Sequence, residues 1–241
     1  MSQETKTESA SIKIQSSAKD ILAKSDTGRR QPSGLVGRIL ILVILTWSVF
    51  QIYISSNVPF WLFTVLGINL TFNSDEARAI HLAFAIFLAS IAFPLFKNSP
   101  KYTIPWYDWI LAIAGVVVCL YMPTFKNEIA LRPGLWTQTD LIISTIGMMV
   151  LLISTYRALG LPLVVVASTF MFYVFFGHSN SLPEVIQWKG ASFSKALGHY
   201  WMQTEGVFGV ALGVSASMIF LFVLFGSILE KAGAGAYFIK T

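Results

Sequence analysis

The sequence predicts an all-α polytopic membrane protein with about six transmembrane helices, both termini cytoplasmic, and additional interfacial helices. Two observations carry that prediction. Of 241 residues, 55% are hydrophobic and only 12% are charged, about half the roughly 25% charge of a soluble globular chain. Apolar blocks long enough to cross a bilayer also recur along the chain, a span needing about 20 such residues at about 1.5 Å rise each.

The elements follow in order. Residues 1–34 are polar and rich in Ser, Thr, Lys and Glu, too poor in apolar groups to fold alone, so they predict a disordered cytoplasmic tail. The first apolar block, Leu35 to Ile54, leaves through Ser55-Ser56-Asn57-Val58-Pro59. With its long polar tail and no small-residue cleavage site, it predicts an uncleaved anchor rather than a signal peptide. Pro59 to Leu70 is apolar and aromatic but too short to span, so it predicts an interfacial or re-entrant segment. Further spans are expected over Ala77–Phe96, Trp106–Met122, Asp140–Tyr156, Leu161–Phe176 and Gly206–Leu229. Gly160 stops one helix and Pro162 restarts the next. The mixed stretch Gly177–Glu205 predicts an amphipathic surface helix, and Gly233-Ala234-Gly235 a closing turn.

Charge placement sets the orientation and excludes some functions. With the N-terminus inside, twelve of the 17 Lys and Arg residues fall on the cytoplasmic side, as the positive-inside bias requires. Seven of the twelve lie in the tail up to Arg38; the short loops alone divide five against five. The net charge of +5 therefore reads as membrane orientation and not as a nucleic-acid surface, and no nucleic-acid partner is expected. The single cysteine, Cys119, lies within an apolar block, which rules out an intrachain disulfide framework. Trp106, Tyr107 and Trp109 cluster at a block end, with Trp47, Tyr53, Trp61 and Tyr121 near others, as aromatic belts do.

Five polar positions stand out against this background. His81 lies one turn into the second span, where a titratable group serves either a proton relay or, more commonly, an interhelical hydrogen bond. Asp108, Asp140 and Glu205 are expected at helix N-termini, where a carboxylate caps free N–H groups and meets the favourable end of the dipole. Arg157 is expected as a cytoplasmic topology anchor, open to lipid phosphate or a cytosolic helix. His178 and His199 read as surface residues. The small residues Gly209, Gly213, Ser215, Ser217 and Gly226 predict close helix packing for the last span. No nucleophile with its base, metal cluster or phosphate loop is recognisable. No catalytic, cofactor-binding or metal residue is therefore assigned.

Several stretches in order carry a family resemblance. They are Arg78-Ala79-Ile80-His81-Leu82, Ile104-Pro105-Trp106-Tyr107-Asp108-Trp109, Arg132-Pro133-Gly134, Arg157-Ala158-Leu159-Gly160-Leu161-Pro162, Tyr173 with Gly177, Gly206-Val207-Phe208-Gly209, and Phe225-Gly226-Ser227-Ile228-Leu229-Glu230-Lys231-Ala232-Gly233-Ala234-Gly235. Together they resemble the N-terminal part of the fused membrane permease of tripartite ATP-independent periplasmic (TRAP) transporters, of the TAXI-associated kind. The resemblance implies a secondary transporter of the bacterial inner membrane that imports small organic acids. The acid is delivered by a TAXI-type periplasmic binding protein, and import is usually sodium-coupled.

By the same resemblance, 35–160 is a four-helix small-permease-like scaffold. Residues 161–205 are a linking helix with a periplasmic amphipathic segment, and 206–241 the first helix of a truncated large domain. The sodium and substrate sites of such systems lie further along the large domain, so this segment is expected to bind no sodium itself and to need the remainder of that domain as a partner. Where family members often carry an acidic residue and paired arginines before the Ala-Leu-Gly turn, this chain has Ile153-Ser154-Thr155-Tyr156-Arg157, with one arginine. Two other readings stay open. One is a non-transporting structural membrane protein that assembles with other helices in lipid. The other is an intramembrane enzyme using His81 with Asp108 or Asp140.

Overall fold

The computed structural model describes residues 30, 32, 34–95, 99–100, 103–179 and 183–233. The expected tail therefore lies outside the described residues except for Arg30, Pro32 and Gly34, and so do Ala234 and Gly235 of the closing turn. Among the described residues the structure is helical, with no strand. In chain order the helices are α1 (Gly34–Ser55), α2 (Val58–Leu66), α3 (Ser74–Ala92), α4 (Trp106–Thr124), α5 (Lys126–Ala130), α6 (Gln138–Leu159), α7 (Leu161–Phe176) and α8 (Phe193–Trp201). The last, α9 (Val210–Lys231), carries a π-helical segment at Ser215–Ile219.

Four helices, α1, α4, α6 and α9, are long and apolar enough to cross a membrane. The other two expected spans are helices of a different character. α3 carries Asp75, Glu76 and Arg78 in its first turns, and α7 has only 16 residues. Among the described residues of Gly177–Glu205, the expected amphipathic helix is replaced by a 3₁₀ turn at Glu184–Ile186 and the short α8.

Local chemistry explains the helix ends. Asn73 accepts from the N–H groups of Asp75 and Glu76 while the Glu76 carboxylate accepts from the Asn73 N–H. That reciprocal cap starts α3 three residues before the expected block. Pro94, just beyond Ala92, helps end it short of Phe96. Thr137 and Asp140 form the same kind of cap at α6, and Ser192 caps α8. α2 turns off at Gly67, whose φ of +65° is left-handed backbone that glycine adopts without penalty.

The core lies where α4 runs antiparallel to α3 and α6, and α8 closes one end. α3 and α4 share the longest interface, built on Ala79, Ala83 and Ile86 against Val118 and Cys119. Trp201 of α8 lies fully buried between α4 and α6 and donates from Nε1 to the Val118 carbonyl at 3.2 Å. A Cβ at Gly147 would overlap the Trp201 ring, so only glycine lets α8 seat this deeply on α6. The outer helices differ: only 6% of α1's apolar window and 6% of α9's is buried within the molecule, leaving both apolar on almost every side.

A pair on the surface fastens α3 to the start of α5. Lys126 contacts the Glu76 carboxylate. The Lys126 hydrogen bond, helped by the Asn73 N–H and opposed by burial, holds the Glu76 carboxyl below its usual range. A lowered folded-state pKa stabilises at neutral pH, and the stabilisation is lost as pH falls below the ordinary Glu value of about 4.3. Lys126→Met should raise the Glu76 pKa, seen by NMR titration, while costing less than about 1 kcal/mol because the pair is half-exposed.

Candidate functional site

The sequence-predicted polar residues fall into separate places, two of them at the ends of the helix bundle. At the first end, Asp108 lies between two arginines. Arg30 Nη1 is 2.6 Å from Asp108 Oδ2, and Arg157 Nη2 is 2.8 Å from Oδ1. The side chains of Arg30 and Asp108 have no exposed area and that of Arg157 has 1%. The arginines also close the carbonyl end of α3. Arg157 Nη1 donates to the Ser90 carbonyl at 2.9 Å, and the Arg30 N–H donates to the Ala92 carbonyl at 2.8 Å. Arg30 Nη2 donates to Ser99 Oγ, which meets Tyr107 Oη.

Two expectations are corrected here. Asp108 does sit in the first turn of α4, but its carboxylate caps no N–H; α4 begins behind Pro105 without a side-chain cap, and the carboxylate is taken by the arginines. Arg157 is not an exposed anchor, because Asp108 draws its guanidinium inward. The second guanidinium on Asp108 comes from Arg30, far from Arg157 in the chain.

At the opposite end, Asp140 accepts from Tyr121 Oη at 2.8 Å and from the Thr137 N–H at 2.8 Å, and pairs with Arg132 Nη1 at 2.8 Å. The cap expected of Asp140 is present, and the same carboxylate also ties the α5–α6 loop to α4. His81 lies in a third place. Trp47 Nε1 donates to His81 Nδ1 at 3.3 Å, and His81 Nε2 faces Ser215 Oγ at 3.4 Å. A ring whose Nδ1 accepts keeps its proton on Nε2, as a neutral imidazole. Phe220 stands edge-on to the ring. One turn along α1, buried Gln51 donates to the Ala216 carbonyl inside the π-helical segment of α9, supplying a partner where the helical ladder is disturbed. His81 therefore joins α1, α3 and α9. Asp108 and Asp140, the carboxylates it would need as an enzyme, lie at opposite ends of α4.

Beyond Asp140, Gly134, Trp136, Trp188, Lys195, His199, Tyr200 and Gln203 help to line a cleft of about 590 Å³. A Cβ at Gly198 would overlap the Trp136 ring, so the α5–α6 loop and α8 touch directly along one wall. Burial pushes the Tyr200 phenol above its usual pKa, keeping it a neutral donor. His199 and exposed Glu205 stand 3.9 Å apart at the rim. Glu205 caps no helix: the chain turns back through Val207 N–H to the Tyr200 carbonyl, and α9 begins only at Val210. His178 is exposed, as expected.

Among the described residues no three His, Cys, Asp or Glu side chains come together to hold a metal ion. No protein-family model, curated protein or solved structure matches this chain.

Sequence reasoning missed Arg30, Arg132, Tyr121, Gln51 and Trp47 as partners of the polar residues. One signal was available: a lone carboxylate in an apolar helix requires a counter-charge, and the arginines near apolar block ends were the supply.

Proposed function

We propose that this chain is a membrane component of a TRAP-type, binding-protein-dependent secondary transporter for small organic acids, serving as its scaffold and docking part and not as an enzyme. In this reading six helices, α3 and α7 included, cross the bacterial inner membrane. Both termini are cytoplasmic and the Arg30–Asp108–Arg157 end faces inward. The motifs from Arg78 to Gly235 motivate it. The observation that carries the docking role is the cleft of about 590 Å³, which unites the Arg132–Thr139 loop with the Gly177–Glu205 stretch at the end away from the arginines. Its aromatic walls and mixed Lys195, His199 and Gln203 rim have the makeup of protein-recognition surfaces. The buried charge cluster and the glycine-seated Trp201 make the supporting bundle rigid, as a scaffold for a moving domain must be.

The test is uptake of isotopically labelled small mono- and dicarboxylates, driven by a sodium gradient, in source cells with and without the gene. Deletion should abolish uptake of at least one acid, and the wild-type chain should restore it. Lys195→Glu, at the cleft rim, should lower uptake at limiting binding protein by about tenfold, with the loss growing at low ionic strength as an encounter defect does. Unchanged uptake across the panel after deletion would leave the structural-protein reading.

A further inference from the structure

The charges at the Arg30 end do not balance. Two guanidinium groups meet one carboxylate among the described residues. The carbonyl end of α3 contributes roughly half a negative charge, but the N-terminal end of α4, where Asp108 sits, contributes about the same positive charge. Among the described residues, close to one buried positive charge remains. Nε of Arg30 has no hydrogen-bond partner among the described residues, and Nε of Arg157 has none either.

The same Arg30 stands at the head of a groove of about 270 Å³. One wall is the Leu40, Ile44, Trp47 and Ser48 face of α1, and the other is Leu88 and Ala92 of α3, with Phe220 of α9 at the far end. Positions 40, 44, 47 and 48 share one side of a helix, so the groove follows the α1 axis for about 12 Å, eight residues at about 1.5 Å each. Ser48 turns its hydroxyl to the Ile44 carbonyl of its own helix, so the walls present almost only hydrocarbon. A cationic head over an apolar groove running along a membrane helix matches one amphiphile. It has an anionic group to meet Arg30 and a chain to lie along α1.

We infer that the groove between α1 and α3 binds an anionic phospholipid, its phosphate drawn to Arg30 by the excess positive charge of the two-arginine cluster and one acyl chain lying between Leu40, Ile44 and Leu88. The lipid would supply the counter-charge that the described residues lack and would cover α1, which has few contacts of its own. The site stands or falls independently of any transport role.

The test is native mass spectrometry of the purified full chain equilibrated with equimolar phosphatidylglycerol and phosphatidylcholine. The wild type should retain one phosphatidylglycerol with a preference of roughly fivefold, the ratio that one basic residue near an anionic headgroup supports. Arg30→Gln should abolish the preference; it leaves the Arg157–Asp108 pair neutral, so the bundle should persist. Leu88→Trp fills the groove without touching a charge and should abolish retention too, which keeps the proposal decidable if Arg30→Gln folds poorly. Equal retention of both lipids by the wild type would overturn the proposal, as would an undiminished preference in Leu88→Trp. Displacement of the lipid by glycerol phosphate alone would reassign the site to a free anion. A lipid-free dimer that Leu88→Trp dissociates would reassign it to a second copy of the chain.

Discussion

Asp108→Asn should strip the protein of its fold at the Arg30 end, with the largest loss of stability of any single isosteric change. Asparagine fills the same volume, so packing is not the cause. The change leaves two guanidinium groups, both with side chains at or near zero exposure, facing each other without a carboxylate. Removing one member of a buried charge cluster costs about 3–5 kcal/mol, chiefly because the remaining charge is left uncompensated. Native stabilities run to about 5–15 kcal/mol, so this is a large share. In a thermal melt of the detergent-solubilised protein the midpoint should fall by roughly 10 °C or more. Arg30→Gln and Arg157→Gln should each cost far less, since either leaves one arginine paired with one carboxylate. Equal loss in Asp108→Asn and Arg30→Gln would show that charge parity does not govern this end of the bundle.

The same cluster shows where sequence reasoning reaches and where it stops. Helix starts set by adjacent residues were legible: Trp106 behind Pro105, Leu161 behind Gly160, and Asp140 as a cap at the start of α6. Each depends on groups within a few residues. Asp108 has the local signature of a cap too, and position alone could not distinguish a carboxylate facing N–H groups from one claimed by arginines far away in the chain. Glu205 failed for a related reason. The Gly206-to-Gly209 segment folds back on Tyr200, and that turn depends on Phe208 being buried in the core, a tertiary fact. Trp47 and Tyr121 look like interfacial anchors by spacing, yet their polar atoms serve His81 and Asp140. The two walls of the cleft lie far apart in the sequence, and the Gly198–Trp136 contact that joins them has no local signature. The apolar blocks, which answer to the bilayer rather than to any one partner, were the most legible.

Trp201→Ala should separate the two levels of this architecture, releasing α8 while the long helices stay packed. Trp201 has no exposed surface. Its ring lies on Gly147, stands edge-on to Phe208 with centroids 5.3 Å apart, and its N–H reaches the Val118 carbonyl. Truncating such a residue costs about 3–5 kcal/mol. Where that loss falls depends on what else holds the neighbouring parts. α3, α4 and α6 contact one another directly, so their association survives. α8 has nine residues, far below the 12–15 or so that an isolated helix needs in water, and few buried residues besides Trp201 hold it. The expected result is a local opening: amide hydrogen exchange over residues 193–208 rises by about a hundredfold or more, as 3 kcal/mol implies, while protection in α4 and α6 is kept. Gly147→Leu should produce the same opening from the other side of the contact. The double variant should add little, because both changes remove one interaction. Because Trp136 and Tyr200 hold their places through α8, either change should also erase the cleft and the binding-protein encounter proposed for it, without touching a residue on its rim. Intact protection over 193–208 in Trp201→Ala would mean that α8 is held by Leu197 and Ala196 alone, and that the rigidity of the cleft has another source.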